Sequence, residues 1–421
     1  MENAIVPHPL AMLPFSLLLA AIALAPLFFA DWWGKHYPKI CLILASIVVV
    51  YYCVGLNASS SVLHTAREYI SFIALVGSLF VVSGGIHIGV KGESTPLANV
   101  LFLLVGALLA NVLGTTGASM LLIRPWIRMN KYRITTHHIT FFIFIISNVG
   151  GCLTPVGDPP LFLGYLSGVP FWWVMLQGWP IWLTGVGILL VMFYFVDSHN
   201  YHRAPKPVRE HLTGHEKWTI TGTTNLLFLA IIFAAVFVSR PFLLREMLMV
   251  AAATASYFIT RKEVHEANHF NLNPVKEVAI LFIAIFATML PALDWLAANA
   301  SKICGAAPAT FYFGSGTLSS VLDNAPTYLS FLNALFGVTG THDVHLLLAQ
   351  SPKVILAISI GSVFFGANTY IGNGPNFMVK AIADQQHVHT PTFGGYILRH
   401  TIPFMLPMIL IVWFIFFRHA N

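Results

Sequence analysis

Two stretches concentrate the residues best suited to chemistry. The first reads Ser147-Asn148-Val149-Gly150-Gly151-Cys152-Leu153-Thr154-Pro155-Val156-Gly157-Asp158-Pro159-Pro160, with glycines, prolines, side-chain oxygens and one acid inside an apolar run. Glycine relaxes φ, and proline removes an N–H donor and blocks helical continuation. The segment is expected to unwind, turning free carbonyls and the Asn148, Thr154 and Asp158 side chains toward a cavity. Such oxygens are hard ligands suited to Na+, which places a tentative cation at Asp158, Thr154 and Asn148. The bland alternative is a proline kink whose polar groups are satisfied by neighbouring helices. Asp158 is the sharpest residue, because an acid in the middle of a membrane marks an ion or proton pathway by default. One carboxylate for which a proton and a sodium ion compete can exchange the two; its bland role is that of a structural hydrogen-bond acceptor.

The second stretch reads Gly366-Ala367-Asn368-Thr369-Tyr370-Ile371-Gly372-Asn373-Gly374-Pro375-Asn376, offering amides and a hydroxyl where the first offers a carboxylate. Two further interruptions accompany this pair, Gly114-Thr115-Thr116-Gly117 and Asp323-Asn324-Ala325-Pro326-Thr327. Asp323 is either a second proton or cation site or a cap for the half-helix that begins at Pro326. No arginine lies inside either break to clamp a carboxylate; Arg124 lies nearby, and half-helix N-termini hold anions without one. Asp31, Asp197, Glu68, Glu277 and Asp343 read as solvated acids at helix ends or in loops. His137, His138, His199, His202, His387 and His389 flank helices and read as interfacial. His87, ending a helix, is a candidate pH sensor. Tryptophans 32, 33, 172, 173, 179 and 182 fit interfacial belts.

Composition states what must position these groups. Of 421 residues, 57% are hydrophobic and 9% charged, against about 25% charged in soluble proteins. Soluble and disordered classes are excluded, and continuous apolar runs disfavour a β-barrel. The balance of 22 basic and 16 acidic residues, +6, reads as membrane orientation, with no nucleic-acid motif beside it. Cys41, Cys53, Cys152 and Cys304 form no CxxC pair and read as buried thiols. A span needs about 20 apolar residues. Helices are expected near 9–30, 39–56, 68–88, 136–165, 170–196, 218–238, 244–260, 275–298, 352–383 and 392–418. The first is kept as a span and not a signal peptide, for it lacks a basic leader. Residues 96–127 and 307–338 are interrupted midway, each half too short to cross, so each is expected to be a re-entrant hairpin shielded by protein. About 16 of the 22 Lys and Arg residues then fall on one face, the cytoplasmic one, with both termini external.

The order of elements repeats. Three helices, a hairpin, a broken helix and a last helix occur in residues 1–200 and again in 218–421, joined by a cytoplasmic connector at 201–217. Five spans per half invert the second copy. The expected architecture is an all-α polytopic membrane protein of two inverted repeats, each with five transmembrane helices and one re-entrant hairpin. Interrupted helices at the midplane point to a secondary transporter.

The stretches Gly114–Pro125, Ser147–Gly164, Leu322–Leu329 and Gly366–Met378 resemble the ion-transporter superfamily, which includes sodium/proton antiporters of the NhaD type, citrate and dicarboxylate transporters, and arsenite permeases. The resemblance implies homodimers in the inner membrane, with a scaffold part and a mobile part that moves as an elevator. Dicarboxylate members carry Ser-Asn-Thr at the hairpin tips and Gly-Thr-Pro-Pro-Asn in the breaks. Here the tips are Gly-Thr-Thr-Gly and Asp-Asn-Ala-Pro-Thr, and Gly157-Asp158-Pro159-Pro160 replaces the threonine, a move toward the antiporter pattern. Carried over, the family's sites fall on Thr115, Thr116, Asn148, Thr154 and Asp158, mirrored by Asn324, Thr327, Asn368, Thr369 and Asn373, with Asn376 beside them.

The leading expectation is therefore a Na+(Li+)/H+ antiporter that uses Asp158 as the shared site, with small cations as cargo and no bound cofactor. The alternative is a Na+- or H+-coupled citrate or carboxylate transporter. A remote third class is an intramembrane aspartyl protease built on Asp158 and Asp323. Against it, the first glycine of Gly-x-Gly-Asp is missing, Leu322-Asp323 lacks a tyrosine, and Pro291-Ala292-Leu293 falls in the wrong order.

Overall fold

The computed structural model describes residues 7–89, 94–203, 219–238, 241, 243–303 and 307–418. Cys304, Lys91 and all but the first residues of the 201–217 connector lie outside the described residues. The fold is all-α and polytopic. In a bilayer every backbone polar group must be satisfied within the chain, and a helix does this alone. Six described helices are long and apolar enough to cross a membrane: Asp31–Gly55, Ser59–Gly84, Pro96–Met129, Trp173–Tyr201, Asn273–Trp295 and Phe393–Phe417. Val344–Gln350 and Pro352–Gly366 form a seventh such stretch, bent by 103°.

Pro96–Met129 does not run straight. Asn99 and Asn130 exchange side-chain hydrogen bonds at 2.8 and 3.1 Å, although 31 positions separate them. A straight helix would put them roughly 46 Å apart. The Phe102 and Trp126 rings stack at 5.4 Å, so the two legs lie side by side. The reversal is at Gly114, whose φ of +74° would strain any side chain and where an added Cβ would crowd the Val156 carbonyl oxygen at 3.2 Å. The helices Pro308–Ser319 and Asn324–Thr339 pair in the same way, with Phe311 and Phe331 meeting edge-on at 6.1 Å.

The first broken segment runs Thr136–Ile145, a single turn at Val149–Gly151, then Pro159–Leu166; the second runs Pro352–Gly366 and Gly374–Gln385. Residues 147–158 are buried throughout, so the unwound backbone is shielded by protein, as a bilayer requires. Both breaks fold back on themselves alike. A Cβ on Gly157 would stand 2.1 Å from the Gly151 carbonyl oxygen, and one on Gly372 2.5 Å from that of Gly366.

Several local expectations are corrected. The second helix begins at Ala30, because its polar first turns stay helical beyond the apolar run. Residues 87–89 and 219–221, expected at helix ends, form a two-stranded antiparallel ladder pairing His87 with Thr221. Gly84-Gly85 ends the one helix, and the β-branched Thr219-Ile220-Thr221 favours strand. His87 is bound there to Asn268 at 2.8 Å. Asp197 and His138 are fully buried, not solvated. Asp197 pairs with Arg133 and lies 3.1 Å from His138 Nε2. Asn99 also donates to it at 2.8 Å, so a charged knot ties the base of the first hairpin to the Trp173–Arg203 helix. Trp182, expected in an interfacial belt, is buried and donates to the Gly150 carbonyl at 2.8 Å.

Candidate functional site

Asp158 is 1% exposed and sits where four helical segments begin. It is itself the N-cap of Pro159–Leu166. Thr115, first in the second leg of the first hairpin, donates from Oγ1 to Asp158 Oδ1 at 2.6 Å. Asn324, first in the helix Asn324–Thr339, donates from Nδ2 to Asp158 Oδ2 at 2.6 Å. Asn373, the N-cap of Gly374–Gln385, donates to Asp158 Oδ1 at 3.3 Å. The first break thus meets both hairpin tips and the second break at a single carboxylate. Among the described residues no Lys, Arg or His pairs with it.

The other singled-out residues build the frame of this cluster. Asn148 donates to Asn376 Oδ1 at 2.7 Å and accepts from Asn373 at 3.2 Å, so it reaches Asp158 through Asn373. Asn376 donates to the Gly366 and Thr369 carbonyls at 2.8 and 2.9 Å, closing the second break. Thr154 is turned away from Asp158; its hydroxyl donates to the Asn111 carbonyl at 2.5 Å and accepts from Gly157 N at 3.0 Å. Thr369 does the same in the other half, donating to the Ser320 carbonyl at 2.6 Å and accepting from Gly372 N at 3.2 Å. Asn368 donates to Ser320 Oγ at 2.9 Å and Thr327 to the Asp323 carbonyl at 2.9 Å. Asp323 accepts from Ala325 N at 3.0 Å, the capping geometry. Thr116 lines a cavity of about 20 Å3 at the first tip, beside Gly114, Gly157 and Phe162. That is room for about one water, so the tip is closed to anything larger in this conformation.

The matching bonds of Thr154 and Thr369 reveal a correspondence. Asp158 and Asn373, 215 positions apart, hold equivalent places in the two breaks, and only one of them is an acid. Sequence reasoning passed over Asn111, which clamps the first break by donating to the Gly150 carbonyl at 2.7 Å and accepting from Leu153 N at 2.9 Å. An asparagine inside the apolar run of the hairpin was the available signal. Ser320 plays a related part in the other half, and its position beside the break was the only hint.

Chemically, the site is one unpaired carboxylate facing four helix N-termini, each equivalent to about half a positive charge. A buried carboxylate without a basic partner needs a proton or a cation to offset its desolvation. Helix-breaking segments gathered around such a group, inside a bundle of apolar helices, define a membrane transport protein. The chain belongs to the family described as "Putative citrate transport", whose model matches residues 6–417. It is also similar to a "46 kDa membrane protein" of Mycobacterium leprae (strain TN), 24% identical over 315 residues that make up 70% of this chain and 71% of the relative.

Proposed function

We propose that the protein is a cation-coupled carrier of citrate or a closely related carboxylate, in which Asp158 takes up the coupling Na+ or proton. One observation carries the reading: four half-helices begin around Asp158, through Asp158 itself, Thr115, Asn324 and Asn373. Four N-termini supply roughly two positive charges against one carboxylate, so the surroundings favour an anion once Asp158 is neutralised. The family match supports the same cargo. The coupling ion and the anion then belong to one site, the first neutralising the acid and so permitting the second. Thr115, Asn324 and Asn373 bind the Asp158 carboxylate directly, and Thr116, Asn148, Thr154, Thr327, Asn368 and Thr369 build the neutral frame around it. The two halves are inverted repeats, and the hairpins and breaks move as one body past a dimeric scaffold in the inner membrane.

Na+(Li+)/H+ antiport is the second reading, favoured by the absence of any basic partner for Asp158 among the described residues. A protease dyad has less support: Asp323 caps a helix while Asp158 is bound by Thr115, Asn324 and Asn373, and no hydrogen bond joins the two acids. Labelled citrate uptake into proteoliposomes under an imposed Na+ or H+ gradient tests the proposal. Uptake under one gradient supports it. No uptake under either, together with collapse of a pH gradient by added Na+ or Li+ in everted vesicles, establishes the antiporter instead.

A further inference from the structure

In the second leg of the first hairpin, from Thr115 to Asn130, every residue is buried except Thr116, Met120, Arg124 and Arg128. A spacing of four places these on one stripe of the helix. The stripe starts at the hairpin tip, where Thr116 lines the cavity next to Gly157, and ends at the hairpin base, where Arg128 is exposed. Arg124 lies midway and half-buried. Its Nε is buried and has no hydrogen-bond partner, and among the described residues the guanidinium has no ion pair and lies over no aromatic ring. The contrast with its neighbours is sharp, because Arg133 is satisfied by Asp197 and Ser94, and Arg245 by Glu246 and Ser71.

An arginine whose Nε is shut off from water with no hydrogen-bond partner is strained energetically, because buried polar groups in folded proteins are nearly always partnered. A place facing lipid would be costlier still. Helical side chains lean toward the helix N-terminus, which on this leg is the tip beside Asp158. We propose that Arg124 is the anion-recognition residue of the carrier, pairing with a cargo carboxylate as it passes along the Thr116–Met120–Arg124–Arg128 stripe between hairpin base and tip. The inference rests on the carboxylate-carrier reading and adds its specificity determinant. A guanidinium binds a carboxylate through two parallel N–H donors, a geometry that a lysine ammonium does not offer.

The test uses the full chain in proteoliposomes, measuring KM and maximal rate of labelled citrate uptake for wild type, R124Q, R124K and R261Q. R124Q raises KM by about 10- to 100-fold, the worth of a lost charge-assisted pairing, with a smaller change in maximal rate. R124K raises it by less, and R261Q, exposed before the helix Lys262–Ala267 and off the stripe, by no more than about twofold. If R124Q fails to assemble, R124K decides alone, since it keeps the charge and loses the paired donors; an unchanged KM overturns the proposal. An R124Q effect that vanishes in liposomes of phosphatidylcholine alone also overturns it, because the partner is then an anionic lipid phosphate. Wild-type protein that takes up no carboxylate while exchanging Na+ for H+ removes the carrier reading itself, a result visible before any variant is made.

Discussion

The substitution Asp158→Asn separates coupling from architecture. Asp158 accepts three hydrogen bonds, from Thr115, Asn324 and Asn373. An asparagine keeps an oxygen on the side of Thr115 and Asn373 but turns an amide toward the Asn324 amide. Left so, the two facing amides would each have a buried donor without an acceptor, at about 1–3 kcal/mol apiece. The structure holds a remedy, for Asn324 Oδ1 is buried and has no partner. Rotating the Asn324 amide by half a turn presents that oxygen to the new amide and restores the bond. The net cost of Asp158→Asn is therefore expected to be within about 1 kcal/mol. Asp158→Ala strands the donors of Thr115 and Asn324, while Asn373 keeps the Ser147 carbonyl at 3.0 Å; two orphaned donors cost roughly 2–6 kcal/mol. Thermal melting in detergent should place Asp158→Asn near wild type and Asp158→Ala well below. Gradient-driven citrate uptake should be lost in both, since neither can take up a cation or release a proton. Full gradient-driven uptake by Asp158→Asn, or a melting temperature as low as that of Asp158→Ala, would refute the reasoning.

Three further perturbations probe the frame. Cysteines at positions 99 and 130 should be joined in high yield by a short bifunctional thiol reagent, because the native side chains are in hydrogen-bond contact; a mobility shift on denaturing gels reads the link, and no link means the hairpin does not fold back. Gly157→Ala and Gly372→Ala should each lower thermal stability by about 1–3 kcal/mol or more, since the added Cβ meets a carbonyl at 2.1 and 2.5 Å. Gly394→Ala, with nothing within 4 Å, should be neutral in the same melts. Asn373→Asp puts a second carboxylate beside the first, and two acids so close cannot both be ionised; citrate KM should rise at least about tenfold, and a wild-type KM would count against an anion-favouring site.

The two breaks and both hairpins could be read from sequence because their causes are local. Gly150, Gly151, Pro155, Gly157 and Pro159 cannot sustain a helix whatever surrounds them, and residues 96–127 hold too few apolar positions on either side of Gly114 to span twice. Convergence could not be read. Thr115, Asn324 and Asn373 meet Asp158 across large sequence separations, and no periodicity encodes which tips face which break. The same limit hid the Asp197–Arg133 pair. A charged residue near the end of a helix looks solvated until the neighbouring hairpin is seen to close over it. Trp182 was misplaced for a like reason, since only the fold puts the Gly150 carbonyl against its indole.

The equivalence of Asp158 and Asn373 bears on why one acid suffices. Each caps a half-helix, each break is closed by a threonine hydroxyl and a glycine-to-carbonyl approach, and the two side chains touch at 3.3 Å. A symmetric pair of acids would cancel the field of the four N-termini and leave a site suited to cations alone. A symmetric pair of amides would leave that field intact, able to hold an anion but with no means of tying its movement to a proton or sodium ion. One acid against one amide lies between these limits. In the proposed carrier its charge would call for a coupling ion, and with that ion bound the helix termini would remain unopposed. On the proposed carboxylate-carrier reading, this balance predicts an order of events: the cation or proton binds first, and the carboxylate binds to the neutralised site.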